Sequence, residues 1–581
     1  MISAGHGVYA MPPSITSLTN RLVAVDSMTR RNAMHAAVIA TLHVAALVIM
    51  WQTEYNAVPQ AIFLVTWGLV NFFWLSLLRR PALSAALSLT MVVIVVLLSR
   101  LKHEMIWMTM TFIDFMIIDT DTITFLLQMF PDLPRRVALA ALAVVPLMGL
   151  IWWLDPFRLP RRHALAGATT CLAGLIGLSV AFPPEHWEMF IGNSYVSKFS
   201  RSGVEAIAEF TEHGFLESDA VAADRLKSTI GDACPAAGSI KRPHIILVHD
   251  ESSFDIRMAP GIKIPDGYGN HFKSFDGKQR QFLVEGAGGP SWFTEYNVLS
   301  GLSARSYGRF SYFVTRIASG RVQRGLPQAL RRCGYRTFSL YPSLGAFMGA
   351  RSFQTTAGVQ RFFDQSDLGT SRVEPDYFFY NAAARMIEHE RADGPMFMFV
   401  YLGANHYPWN ARWRPDLMPE WRDPGNAPEI DEYLRRQAMS ERDYAAFLAR
   451  LNREFPSESF VLIRYGDHQP DFAANIIDPK LDDAAIAQRL QVFDPRYFTT
   501  YYAIDTVNFQ PRNLSSAIDT LDGPYLPLVV QEVAGLPLDA SFAEQKLIME
   551  RCKGLFYACA GGAEARRFNR LLINAGLIKG L

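Results

Sequence analysis

The distribution of hydrophobic and polar positions divides this chain near residue 183. Before that point lie apolar runs at roughly 33–51, 59–78, 82–99, 137–154 and 164–182. Each approaches the ~20 residues that cross a hydrocarbon core, so each predicts a spanning helix. A further stretch, MIWMTMTFIDFMIIDTDTITFLLQMF (105–130), is apolar but carries Asp114, Asp119 and Asp121. A carboxylate at mid-bilayer costs roughly 2.5–3.5 kcal/mol on insertion scales. The stretch therefore reads as an amphipathic or re-entrant segment at the outer interface. Met1–Asn32 lacks a short apolar region before a small-residue cleavage site and does not read as a cleaved signal.

Charge orients these spans. Arg21, Arg30 and Arg31 precede the first run, Arg79 and Arg80 follow the second, and Arg158, Arg161 and Arg162 separate the last two. With five spans all three clusters fall on the cytoplasmic side, as the positive-inside rule prefers, and everything after about residue 183 lies outside. Arg135 and Arg136 run against this arrangement. A sixth span would strand the 158–162 cluster outside instead.

Beyond 183 the period changes. Residues 184–240 form a mixed segment with helical patterning at 204–217, read as a connector near the membrane. KRPHIILVHDESSFD (241–255) then brings a continuous apolar run, Ile245–Val248, that ends in polar residues. That is the texture of a buried parallel strand with a functional loop at its C-terminal end. The pattern recurs: LPQALRRCGY (326–335) reads as a helix feeding the strand RTFSLYP, MFMFVYL (396–402) runs into GANHYPW, and SFVLIRY (459–465) runs into GDHQPD. Alternating strands and helices predict an α/β domain with chemistry at the strand ends. The expected organisation is a transmembrane helical domain (1–183), the connector (184–240), an α/β domain with a central, mostly parallel sheet (241–540) and a helical C-terminal extension (541–581).

Composition refines this. Hydrophobic residues make up 50% and charged residues 19%, with the apolar excess concentrated before residue 185. A net charge of +1 gives no footprint for a nucleic-acid polyanion. Cys171 lies in an apolar run, and Cys234, Cys333, Cys552 and Cys559 follow without any Cys-x-x-Cys pair, which argues against a zinc ribbon. Cys552 and Cys559 are spaced for a short disulfide in an exported domain, and equally for two buried thiols.

Polar residues gather after the predicted strands. The first gives Asp250 and Glu251, the third Asn405 and His406, and the last Asp467 and His468, while the glycine-rich loop GAGGPSWFTEYNVLSGL (286–302) gives Ser291. Carboxylates, imidazole and a hydroxyl at one sheet edge suit a divalent cation. A serine hydroxyl is a poor nucleophile until a cation or base lowers its pKa. Each residue also has an ordinary alternative. Asp-His after a strand often caps a helix, Glu251 alone is a solvated loop acid, His406 can stack on its aromatic neighbours, and Ser291 alone is one serine in a loop.

DESSFD, GGPSWFTEYNVLSGL, NHYPW and YGDHQPD occur in an order and spacing that resemble membrane-anchored lipoteichoic acid synthases and phosphoglycerol transferases. These belong to the sulfatase-like branch of the alkaline phosphatase superfamily. The resemblance implies that Glu251, Asp467 and His468 hold one divalent cation, Mn²⁺ or Mg²⁺ foremost and Zn²⁺ as a third candidate. It places Ser291, also a ligand, at the nucleophile position and His406 where a histidine binds substrate and protonates the leaving alkoxide. Arg351 falls near a phosphate- or glycerol-binding arginine, and Trp292 and Asn405 flank the same site. Serine stands where the family has threonine, and Gly-Pro precedes it in place of a longer glycine run.

The implied activity is transfer of phosphoglycerol from phosphatidylglycerol to a cell-envelope glycan through a phosphoserine-type intermediate. The implied location is a bacterial inner membrane, with the catalytic domain periplasmic. A phosphoethanolamine transferase of the same superfamily is the nearest alternative, though its usual local pattern and several disulfides match less well. A non-enzymatic envelope-assembly scaffold is the alternative of a different class. A formylglycine sulfatase needs (C/S)-x-P-x-R, and Ser-Trp-Phe-Thr-Glu supplies neither proline nor arginine. A two-metal phosphatase needs a second ligand set that the 13 histidines do not provide.

Overall fold

The structure is a computed structural model that describes residues 15–106, 108–118, 123, 126–127, 130, 132–155, 157–183, 188–219, 226, 234 and 241–580. Asp119 and Asp121 lie outside the described residues, as does part of the 184–240 connector. The chain divides into two compact units, Met1–Asp114 with Pro131–Glu205, and Phe115–Phe130 with Ala206–Leu581.

Among the described residues, five helices of the first unit are long and apolar enough to cross a membrane: Asn32–Thr53, Ala57–Leu78, Pro81–Glu104, Leu133–Leu154 and Arg161–Ala181. They coincide with the five apolar runs. Between the third and fourth stands a short helix, Phe112–Ile117, whose Asp114 pairs with Lys102 at 2.8 Å. Two buried carboxylates serve the unit's backbone. Asp155 accepts from the N–H groups of Ala82 and Leu83 and lies 2.8 Å from His35 Nε2. It thereby satisfies donors that the start of a helix leaves without intrahelical partners. Glu54 accepts from the Val196 N–H and the Ser197 hydroxyl in the same way.

The second unit is built on eight strands: β1 (His244–Asp250), β2 (Arg280–Leu283), β3 (Arg336–Leu340), β4 (Arg361–Phe363), β5 (Met396–Tyr401), β6 (Phe460–Gly466), β7 (Thr499–Val507) and β8 (Thr520–Asp522). Their order across the sheet is β4-β3-β5-β1-β6-β7-β2-β8. β4, β3, β5, β1 and β6 run parallel, β7 is antiparallel to both β6 and β2, and β8 is parallel to β2. Every residue of β1, β5 and β6 is buried, as continuous apolar runs require of strands covered on both faces. One face packs Ile246, Val248, Phe338, Val400 and Leu462 under helices Asp376–Glu390 and Pro428–Glu454 through Phe379, Tyr380 and Phe447. A second cluster, around Phe254, Trp409, Tyr433, Phe472 and Tyr501, fills the space beneath the loops that leave the parallel strands. Helices Ala540–Arg551 and Ala563–Asn574 complete the C-terminal region.

Cys234 pairs with Cys333 and Cys552 with Cys559, leaving Cys171 as the free cysteine. In denaturant without reductant, a maleimide should therefore label one thiol per chain, rising to five after reduction; three or more labels before reduction would contradict the pairing.

Candidate active site

Side chains alternate across a strand, so on β1 His249 and the following Glu251 share a face while Asp250 takes the other. Parallel register sets His249 beside Tyr401 of β5 and Tyr465 of β6. The imidazole stacks on Tyr401 at 3.8 Å between centroids, and its Nδ1 lies 2.8 Å from the Tyr465 hydroxyl. Asp467 and His468 follow β6 directly. The last residue of β6 is Gly466, where an added Cβ would come 1.7 Å from the Ser253 carbonyl oxygen. Only glycine lets the loop after β1 lie against the end of β6.

That loop is held by Asp467. Its Oδ1 accepts from the Ser252 N–H at 2.7 Å and from its neighbour His468 N–H at 2.8 Å. Ser252 has φ +50°, a left-handed conformation uncommon outside glycine, and the Asp467 bond helps hold it there.

The serine arrives from the opposite side. Gly288 (φ +71°) and Gly289 (φ +158°) turn the chain, Pro290 follows, and helix Ser291–Ser300 begins. Ser291 occupies the first helical position, where the peptide dipoles favour negative charge. Its Oγ lies 3.1 Å from His468 Nε2 and 3.4 Å from Glu251 Oε2. Three residues on, the Thr294 hydroxyl donates to the Asp467 carbonyl at 2.6 Å and pins the helix to the same loop. Ser291, Glu251, Asp467 and His468 are all buried.

Burial opposes charge on both Asp467 and His468, yet each sustains the other. His468 and His249 hold the Asp467 carboxyl below the usual carboxylate range, and the Asp467 and Glu251 carboxylates raise the His468 imidazole above its ordinary value. A ligand atom from each of His249, Glu251 and Asp467 lies within 4.8 Å of the others. Asp467 Oδ2 faces His249 Nε2 at 3.1 Å and His468 Nε2 at 3.3 Å, ion pairs that leave both imidazole nitrogens turned toward the same point. Two buried carboxylates, two imidazoles and a hydroxyl, with acceptors to spare, fit a divalent cation. The sequence reading missed His249, although its place two residues before Glu251 in a strand already put it on the same face.

The remaining expected residues lie elsewhere. Asp250 faces His271 Nε2 at 2.8 Å and accepts from the Tyr501 hydroxyl. Burial works to raise its carboxyl, but these partners hold it below the usual range. His406 is exposed, with Nδ1 2.7 Å from the Tyr407 carbonyl oxygen. Its loop is fixed by Arg436, which donates to the His406 and Pro408 carbonyls at 2.8 Å each. Asn405 is buried, accepting from Trp409 Nε1 at 3.1 Å while its Nδ2 has no partner among the described residues. Trp292 is buried behind the turn and donates to the Tyr312 carbonyl at 2.7 Å. Arg351 binds Asp364 and Asp367 at 2.8 Å each and lines a cavity of about 680 Å³ with Ser319, Leu344 and Thr356.

Residues 292–492 match the family model described as Sulfatase, a stretch that begins one residue after Ser291 and includes Asn405, His406, Asp467 and His468. Among solved structures, the chain is similar to the lipoteichoic acid synthase LtaP of Listeria monocytogenes (15% identity, 52% of this chain and 74% of that one, TM-score 0.40). It is likewise similar to the phosphoglycerol transferase GacH of Streptococcus pyogenes (14%, 60% and 85%, TM-score 0.42). A third is the integral membrane lipooligosaccharide phosphoethanolamine transferase A of Neisseria meningitidis (11%, 83% and 99%, TM-score 0.40). No curated protein matches the chain. The fold is thus five apolar helices followed by a sulfatase-like domain with a mostly parallel sheet.

A ligand that binds only the folded state raises stability by about 2.7 kcal/mol at a hundredfold excess over Kd. Mn²⁺ should accordingly raise the thermal unfolding midpoint of the wild-type chain in detergent. Asp467→Asn, which keeps an Oδ1 acceptor for the two N–H groups but loses the carboxylate charge, should abolish most of that rise; an undiminished rise would remove Asp467 from the cation cradle.

Proposed function

We propose that this sulfatase-like domain is a cation-dependent phosphotransferase that moves a phosphoglycerol group from phosphatidylglycerol to a cell-envelope glycan. The observation that supports it is the serine itself: a buried Ser291 Oγ at a helix N-terminus, 3.1 Å from His468 Nε2 and 3.4 Å from Glu251 Oε2. Glu251, Asp467, His468 and Ser291 would hold the cation. When bound, it supplies a lowered hydroxyl pKa and positive charge against the phosphate oxygens.

The chain's own residues do the rest. Ser291 gives its proton to Glu251 Oε2, the oxygen its hydroxyl already faces, as Oγ attacks the lipid phosphorus, and the same proton returns to Oγ when the serine is displaced. The bond to diacylglycerol breaks, and His406, accessible to solvent on its braced loop, protonates the departing alkoxide. A glycan hydroxyl then displaces Ser291 from the phosphoglyceryl-serine, with His406 taking its proton. Arg351 and Asn405 are assigned to binding the head group, and Trp292 to holding the turn at their side. The five apolar helices would tether this domain to a membrane, and the arginine clusters between them favour an inner membrane with the domain periplasmic; such tethering raises the effective concentration of a lipid donor.

A second reading, phosphoethanolamine transfer, is favoured by the two disulfides, since that group of enzymes usually carries several. Intact mass of the purified chain after incubation with each lipid separates them. Phosphatidylglycerol should leave a glycerol-phosphate adduct on Ser291, absent in Ser291→Ala. An ethanolamine-phosphate adduct from phosphatidylethanolamine would move the assignment to the second reading, and no adduct from either lipid would leave the scaffold reading standing.

A further inference from the structure

The helix that presents Ser291 carries a second ionisable group one turn behind it. Glu295 stands four residues on, so it lies on the same helical face as the serine. It is fully buried, its Oε1 accepts from Gln354 Nε2 at 2.9 Å, and its Oε2 has no hydrogen-bond partner among the described residues. Gln354 is itself fully buried and belongs to helix Ala350–Ala357, three residues beyond Arg351. The two helices also meet through Tyr296 and Phe353, with rings 5.5 Å apart. Packing alone does not explain a carboxyl group here. Burying an oxygen without a partner costs stability, and such groups call for another reason.

We infer that Glu295, bridged by Gln354, is a positioning residue that fixes the helical turn presenting Ser291 against the helix that carries Arg351. The inference rests on the reading of Ser291 as the nucleophile. A Glu–Gln bridge suits that task, because a carboxylic acid held neutral locks two helices with a directional bond and adds no charge beneath the reacting hydroxyl. Its surroundings keep it neutral. Burial pushes the carboxyl up to about 8, and the Gln354 amide is the partner that opposes the shift. From the sheet, the phenols of Tyr341, Tyr401 and Tyr465 face it and are themselves raised, chiefly by burial and in part by its charge. It makes no ion pair among the described residues.

The sign of the pH dependence follows. A carboxyl whose pKa is higher folded than unfolded costs nothing below about 4.5. It destabilises progressively from there to about 8, where the folded state also loses its proton, and is constant beyond. Full-length chain in detergent is compared as wild type, Glu295→Gln and Glu295→Ala. The Glu295→Gln variant should have a higher unfolding midpoint than wild type, with a larger gain at pH 8 than at pH 5. It should keep the neutral-pH rate of serine adduct formation, and lose whatever alkaline decline near pH 8 the wild type shows.

Glu295→Ala should lower kcat more than tenfold, about 1.4 kcal/mol in barrier, with little change in KM for the lipid. It should also shrink the Mn²⁺-induced rise in unfolding midpoint, which Glu295→Gln preserves. Wild-type kcat in Glu295→Ala, or an equal loss in Glu295→Gln and Glu295→Ala, would overturn the inference. If the wild type forms no adduct with either lipid, the nucleophile reading fails by itself. The Mn²⁺ response then decides the positioning role: an equal response in wild type and Glu295→Ala rejects it.

Discussion

The Asp467 carboxylate is the constraint on which the rest of the site depends. One oxygen gathers the N–H groups of Ser252 and His468, which fixes the loop after β1 against the loop after β6. The other oxygen is left facing two imidazoles. The Asp467 carbonyl then takes the Thr294 hydroxyl and so sets the distance of the serine helix. Three separate pieces of chain are registered by one residue that is fully buried and charged. That arrangement is costly in a low-dielectric interior unless the charge is compensated. In the protein as described, His249 and His468 provide that compensation.

The hydroxyl–imidazole–carboxylate set has a layered support. Parallel register stacks Tyr401, His249 and Tyr465 side by side, so the imidazole is held by a ring on one side and a phenol on the other. Glu251 projects from the next position on that face. The site is therefore rigid where it meets the sheet. The loop carrying His406 is held through its backbone by Arg436 while its side chain reaches solvent.

Much of this was legible in the sequence, for identifiable reasons. The five apolar runs announced five helices because hydrophobic length is a direct physical requirement. β1, β5 and β6 announced themselves as continuous apolar runs because both their faces are covered. β7 did not: Thr499, Thr500, Tyr501 and Tyr502 form a buried strand out of residues that read as polar. β2, β4 and β8 are too short to show a period. Ser291, Glu251, Asp467 and His468, which the structure brings together, were legible because each follows a strand or a glycine turn. His249 was overlooked because it sits inside the strand, and Asp250 drew attention although alternation sends it to the other face. Arg351 shows the limit of motif spacing. Its guanidinium is engaged by Asp364 and Asp367, partners that no local pattern announced.

The close approach at Gly466 has a consequence for how such a domain diversifies. With no room for even a methyl group between β6 and the Ser253 carbonyl, the strand-end cradle admits almost no drift in sequence without shifting backbone. The loop from Gly403 to Trp413 is anchored by buried Trp409 and by main-chain carbonyls given to Arg435 and Arg436, so exposed side chains such as Tyr407 and Asn410 can change without loosening it. Change in sequence is thus easiest at that loop's exposed side chains, while the strand ends beneath it stay fixed.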